Sequence, residues 1–268
     1  MGDIHGAFDW LRYEIKRLNL SDCIIIQVGD FGIGFHSESH DSNQLNFLNQ
    51  FLVERNINLY AIRGNHDNPA YFNGNLNPHL SNLILVPDYT VLELGGYKIL
   101  FVGGATSIDR YDRIKNNAKY KIEKKEKCEY WEDEVFVLDE EKLSSMKGID
   151  VVITHFSPDY CKPDNRNGSG GWPQIIRYFG FPTIDPYNHK EIPARDPNLI
   201  LDLKIERNLM TQMFQILKDN GNFVKYAFNG HYHQSNLDIN GPTLHVGLAI
   251  NELSDYLFKE EEYIWPDE

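Results

Sequence analysis

Five short polar knots constrain this chain more than any other feature, because four of them close apolar runs of the kind that become buried strands. They are Gly2-Asp3-Ile4-His5-Gly6, Gly29-Asp30, Gly64-Asn65-His66-Asp67, Thr154-His155 and Gly230-His231-Tyr232-His233. Between them run helical patterns. A sequence that alternates strand and helix and places polar residues at strand C-terminal ends builds an α/β sheet with a site along one rim.

The elements follow in order. Phe8, Leu11, Ile15 and Leu18 recur at helical spacing, so a helix should follow the first knot directly. Residues 23–28 read as a buried strand that delivers Asp30. Leu45, Leu48, Phe51 and Leu52 mark a second helix, with Asp41 or Ser42 as its N-cap. The run 58–62 is a strand that delivers Asn65 and His66, and Gly95-Gly96 joins two strands of a hairpin. The run 150–154 is a strand that ends in His155. Ile205, Leu209, Met213 and Ile216 define the core face of another helix, 224–228 form the strand before His231, and a hairpin is centred on Asn240-Gly241.

Two stretches interrupt this order. Residues 109–134 are densely charged and read as a solvated helical excursion, with a rim that meets substrate as the alternative. Residues 156–198 are rich in Pro, Gly, Asn and aromatics, and a stretch this long in a compact domain is usually functional or partly structured. Gly168-Ser169-Gly170-Gly171 could hinge a lid, and Trp172, Tyr178 and Tyr187 could stack on a substrate ring or form the insertion's own small core. The expectation is one domain over residues 1–268 with insertions near 109–135 and 156–204.

Charge narrows the choice of partner. Thirty-nine acidic against 26 basic residues leave a formal charge of -13, which repels long polyanions and disfavours extended nucleic acid. Cys23, Cys128 and Cys161 are widely spaced and form no CxxC, so neither a disulfide framework nor a thiolate zinc site is indicated. No apolar run approaches the roughly 18 to 20 residues that span a bilayer. A cytoplasmic setting is the expectation.

The knots gather Asp3, Asp30, Asn65 and five of the ten histidines. Imidazole suits zinc, iron, nickel and copper, and carboxylates suit manganese and magnesium, so a mixed set without thiolate implies borderline or hard divalent ions. Four protein ligands already saturate a structural zinc, and the larger number here suggests two ions. A bridging carboxylate would hold them roughly 3.5 to 4 Å apart.

The ordered set GDIHG, GD, GNHD, TH and GHYH, over residues 2–233, resembles the calcineurin-like metallophosphoesterase superfamily. The resemblance implies two mixed β-sheets packed as a sandwich and flanked by helices, with the site at strand ends. It implies two divalent ions, with manganese expected ahead of iron, zinc, nickel or magnesium. By similarity Asp3, His5 and His233 would hold the first, Asn65, His155 and His231 the second, and Asp30 would bridge. His66 would protonate the leaving oxygen or steady the transition state, Asp67 would orient its ring, and Asn65 would also touch the phosphate. The implied activity is hydrolysis of a phosphoester by metal-activated water, with a small phosphodiester or nucleotide favoured.

Two departures qualify this. Gly29-Asp30-Phe31-Gly32 lacks the GDxxDRG continuation of protein Ser/Thr phosphatases, although the GDIHG opening is similar to theirs. The Gly103–Arg110 stretch with Trp131 and Glu134 is similar instead to a branch of uncharacterised bacterial and phage phosphoesterases. Family members also carry a core strand before the first knot, where this sequence has only Met1; a truncated start would leave Asp3 loosely held. A protein phosphatase-like phosphomonoesterase and a non-catalytic scaffold of the same fold are the alternative readings.

Overall fold

The structure, a computed structural model, describes residues 1–76, 78–161 and 171–255. Three short apolar runs form β1 (Ile24–Gln27), β2 (Asn58–Ala61) and β3 (Leu83–Leu85), parallel neighbours in that order. A second sheet contains β4 (Thr90–Leu94), β5 (Tyr97–Val102), β6 (Val151–Thr154), β9 (Tyr226–Asn229), β10 (Asn236–Asn240) and β11 (Thr243–Gly247). Its order is β10-β11-β9-β6-β5-β4, with parallel pairs at its centre and an antiparallel hairpin at each edge.

The period-two alternation of strand side chains decides the layering. In β5, Ile99 and Phe101 face the first sheet, whereas Leu100 and Val102 face the opposite way. Val28, Ile62 and Val86 meet Phe101, Ile153, Phe228 and Val246 in the layer between the sheets, which therefore pack as a sandwich. Helices α1 (Phe8–Arg17) and α2 (Glu38–Glu54) cover the outer face of the first sheet through Leu11, Ile15, Leu45, Leu48 and Leu52. The short α4 (Glu140–Ser144) and the long α6 (Leu199–Asp219) cover the second through Leu143, Met210, Met213 and Leu217. Each such side chain, fully buried, contributes about 1.5–3 kcal/mol. The expected mixed α/β sandwich flanked by helices is the observed fold.

Local differences have local causes. Helix α2 starts at Glu38, not near Asp41, because the Ser37 hydroxyl accepts the His40 N–H; the Asp41 carboxylate instead accepts the Gly34 N–H and the Tyr71 hydroxyl. The β10–β11 turn falls on Gly241-Pro242, since Asn240 pairs with Thr243. In α6 the buried face is Glu206, Met210, Met213, Phe214 and Leu217; of the expected stripe Met213 is buried, Leu209 and Ile216 pack partly buried against the core, and Ile205 is exposed. Strand β3 is not evident in the sequence: the four-residue run Leu83–Val86 between Asn82 and Pro87 carries too little pattern.

The charged stretch contains α3 (Arg110–Ile122), and the long stretch contains α5 (Gly171–Gly180) and a small hairpin of β7 (Thr183–Ile184) and β8 (Glu191–Ile192). Tyr187 is 94% exposed, and Tyr178 packs on Phe179 beneath Arg195. Of the expected Gly168–Gly171 hinge, residues 168–170 lie outside the described residues, as does the Trp172 side chain, while Gly171 begins α5. All three cysteines are free thiols. No described helix is long and apolar enough to cross a membrane.

Candidate metal centre

Strands β1 and β2 of one sheet and β6 and β9 of the other deliver their knots to a common point, where the loop Gly2–Gly6 joins them. That loop is bound on both sides. The His5 N–H donates to the Asp30 carbonyl, and the Gly2 N–H to that of Glu252. Asp3 is fully buried and accepts the His231 N–H on both carboxylate oxygens, at 3.2 and 3.0 Å. The expectation of a loosely held Asp3 is thus not met, because the β9 knot closes over it.

The backbone is bent hard to bring these side chains together. His5, Asp30, His231 and His233 all adopt left-handed φ values, 45°, 55°, 69° and 56°. Such a conformation costs a non-glycine residue about 1–2 kcal/mol, and strain of this kind concentrates at functional sites. Glycine is required where backbone passes close to a ligand atom. A Cβ at Gly230 would overlap the Asp3 carboxylate, and one at Gly64 would overlap that of Asp30.

Asp30 lies at the middle. Its Oδ1 accepts the His66 N–H at 2.7 Å and lies 3.1 Å from His155 Nε2, while its Oδ2 lies 3.8 Å from His5 Nε2. On the His5 side, His5 Nε2 and His233 Nε2 face each other at 3.1 Å, and the latter is 3.3 Å from Asp3 Oδ2. On the His155 side, Asn65 Oδ1 is 3.1 Å from His155 Nε2, and the His231 ring lies edge-on at 4.8 Å. His155 Nδ1 donates to the Val28 carbonyl at 2.8 Å, so Nε2 is the nitrogen left to face the cluster.

The electrostatics match a cation cradle. Burial alone would raise the Asp30 carboxyl, yet the His155, His66 and His5 rings hold it well below the ordinary range. Burial pushes the His155 imidazole down, but the Asp30 carboxylate outweighs it and holds His155 up at about 9. His231 goes the other way, held well below its usual value by burial and by its like-charged neighbour His155. A positive charge is therefore favoured beside Asp30.

The donor set fits divalent ions. Ligand atoms of Asp3, His5, Asp30 and His233 lie within 4.8 Å of one another, and so do those of Asp30, His155 and His231. Asp30 belongs to both groups, and Asn65 Oδ1 adjoins the second. Carboxylate, imidazole and amide oxygen without thiolate suit borderline or hard cations.

His66 and Asp67 sit differently from each other. His66 is half-buried at the edge of the cluster, its ring edge-on to His5 at 4.8 Å, and burial pushes its pKa down to about 3. Asp67 was expected to orient that ring. Instead its carboxylate accepts four backbone N–H groups: Gly32 and Ile33 on Oδ1, Phe31 and Gly64 on Oδ2. Burial and the Asp30 charge push the Asp67 carboxyl up to about 7 while the amides pull it down. Besides His5, the His66 ring meets Phe35, stacked on it at 6.0 Å and met in turn by Trp131. Trp131 thus brings the charged insertion to the edge of the cluster. Phe35, Ser107 and Arg113 were not anticipated as part of the surroundings; the one signal was the uncharged Gly103–Ser107 run that leads into the charged stretch.

No curated protein sequence matches the chain. Among solved structures, GAP50, the anchor in the inner membrane complex of Plasmodium, is similar at 14% identity with a TM-score of 0.39, over 92% of this chain and 67% of that one. The model of one family, described as calcineurin-like phosphoesterase, matches residues 1–235, the span that holds every knot, and the chain belongs to that family.

Proposed function

We propose that this protein hydrolyses phosphoesters at a centre of two divalent cations that share Asp30, as a single domain with two insertions. One observation carries this reading: two groups of donors, each large enough to hold a cation, have the buried Asp30 carboxylate in common. Asp3, His5 and His233 would hold one ion, and Asn65, His155 and His231 the other. When bound, the pair supplies Lewis acidity toward phosphoryl oxygens and acidifies water.

The chain's own residues do the rest. Asp3 and Asp30 offset cationic charge from positions that burial keeps dry. Val28 holds the His155 ring so that Nε2 faces inward. His66 is neutral under ordinary conditions, and a neutral imidazole still carries one N–H; we assign that donor to the leaving oxygen. Asp67 fixes the loops on which Asp30 and Asn65 stand. The Phe35–Trp131 pair beside His66 supports a small substrate with a flat leaving group, which is the reading of a small phosphodiester or nucleotide.

The test is hydrolysis of bis-p-nitrophenyl phosphate with added Mn²⁺, with Asp30→Asn as control. Turnover that needs both the metal and Asp30 is the expected result. Turnover that survives chelation or Asp30→Asn contradicts it, and preference for a phosphopeptide over the diester would move the reading to a protein phosphatase.

A further inference from the structure

The side of Asn65 that faces away from the donor cluster is held by a buried polar network from the charged insertion. Asn65 Nδ2 donates to Ser107 Oγ at 3.0 Å. The same hydroxyl accepts from Arg113 Nη1, and Glu134 Oε1 accepts the Ser107 N–H at 3.1 Å. Arg113 Nη2 donates to the Asn65 carbonyl at 2.9 Å, its Nε donates to the Glu129 carbonyl, and Nη1 lies 3.5 Å from Glu134 Oε2. Arg113 is 4% exposed; Ser107 and Glu134 are fully buried. Removing an ion pair from water is costly, and this one sits under a loop that a simple apolar contact could have supported.

Hydroxyl valence shows what the network does. Ser107 Oγ has one proton and two lone pairs. Arg113, a cation without acceptor capacity, takes one lone pair. The NH₂ end of the Asn65 amide takes the other, so donors occupy both lone pairs. Oδ1 is thereby turned toward His155 and Asp30, where a cation needs a lone pair. An inverted amide would present N–H groups to the cation. The second guanidinium nitrogen meanwhile pins the Asn65 backbone, so one planar fork sets both the position and the rotation of this residue.

We propose that Arg113 and Ser107 are positioning residues that fix which end of the Asn65 carboxamide faces the centre, and so set the affinity of the cation site formed with His155 and His231. The proposal rests on the two-cation reading above. It concerns one of the two sites: none of these bonds reaches Asp3, His5 or His233. Lysine cannot replace Arg113, because an ammonium on a flexible stem does not span Ser107 Oγ and the Asn65 carbonyl together.

The experiment is calorimetric titration of Mn²⁺ into metal-free protein, with circular dichroism to verify folding. Wild type, Ser107→Ala, Arg113→Lys, Asn65→Ala and the Asn65→Ala/Ser107→Ala double variant are compared. Wild type should show two binding steps. Ser107→Ala and Arg113→Lys should each weaken one step by about 10–100-fold and leave the other unchanged. The double variant should bind no more weakly than Asn65→Ala alone, because Ser107 acts only through that amide. Ser107→Ala, the milder change, keeps the test valid should Arg113→Lys fail to fold. Two wild-type steps with an unchanged Ser107→Ala would overturn this proposal alone, as would equal weakening of both steps or losses additive with Asn65→Ala. A wild type that binds one ion or none would overturn the two-cation reading, and this proposal with it.

Discussion

Replacing Asp67 by asparagine separates two roles that the same residue could play beside His66. In the structure the carboxylate has two oxygens, each accepting two backbone amides, at distances from 2.7 to 3.2 Å. Asparagine keeps one such oxygen and puts an NH₂ group in place of the other. Whichever way the amide turns, two buried N–H donors lose their acceptor, either those of Gly32 and Ile33 or those of Phe31 and Gly64. An unsatisfied buried donor costs about 1–3 kcal/mol, so the substitution should destabilise by about 2–6 kcal/mol. Against a typical total of about 5–15 kcal/mol that is a large fraction. The assay is urea denaturation of metal-free protein at pH 8, above the raised Asp67 pKa of about 7, followed by circular dichroism. A loss below about 0.5 kcal/mol, within the range of a neutral surface change, combined with collapsed turnover, would refute the loop-fixing role. It would return Asp67 to the His66 ring.

Three further outcomes are expected. Gly230→Ala places a methyl group against the Asp3 carboxylate, so metal analysis of the purified protein should show loss of the ion held by Asp3, His5 and His233. His66→Gln should retain both ions and lower kcat on bis-p-nitrophenyl phosphate by about 10²–10⁴-fold; unchanged turnover would remove His66 from the mechanism. Glu206, buried on α6 and bonded to the Thr106 N–H, has its carboxyl pushed from 4.5 up to about 8, chiefly by burial. The folded protein therefore binds this proton more tightly than the unfolded chain. The stabilisation is complete below 4.5 and lost as pH rises toward about 8. Glu206→Gln should flatten that decline, by on the order of a few kcal/mol in unfolding free energies compared at pH 5 and pH 8.

The candidate ligands were legible because each lies within a few residues of a strand-like run, and strand ends are local features. Asp30, His155 and His231 needed no tertiary knowledge to be placed on a rim. The role of Asp67 was not legible, since it depends on which amides the loop after β1 turns back toward it, and four N–H groups from two loops leave no mark in sequence. Arg113 and Glu134 were hidden for the opposite reason. They lie in a stretch whose dense charge reads as solvated, and only the fold shows that two of those charges pair beneath Asn65. The α6 stripe was legible from Leu209 to Ile216 but not at its start, where Ile205 is exposed and the polar Glu206 is buried in its stead.

Anomalous scattering from crystals grown with Mn²⁺ decides whether two cations share Asp30. Two peaks roughly 3.5–4 Å apart are expected, with Asp30 between them, Asp3, His5 and His233 around one, and Asn65, His155 and His231 around the other. A single peak, or a pair that leaves Asp30 outside, would contradict that arrangement.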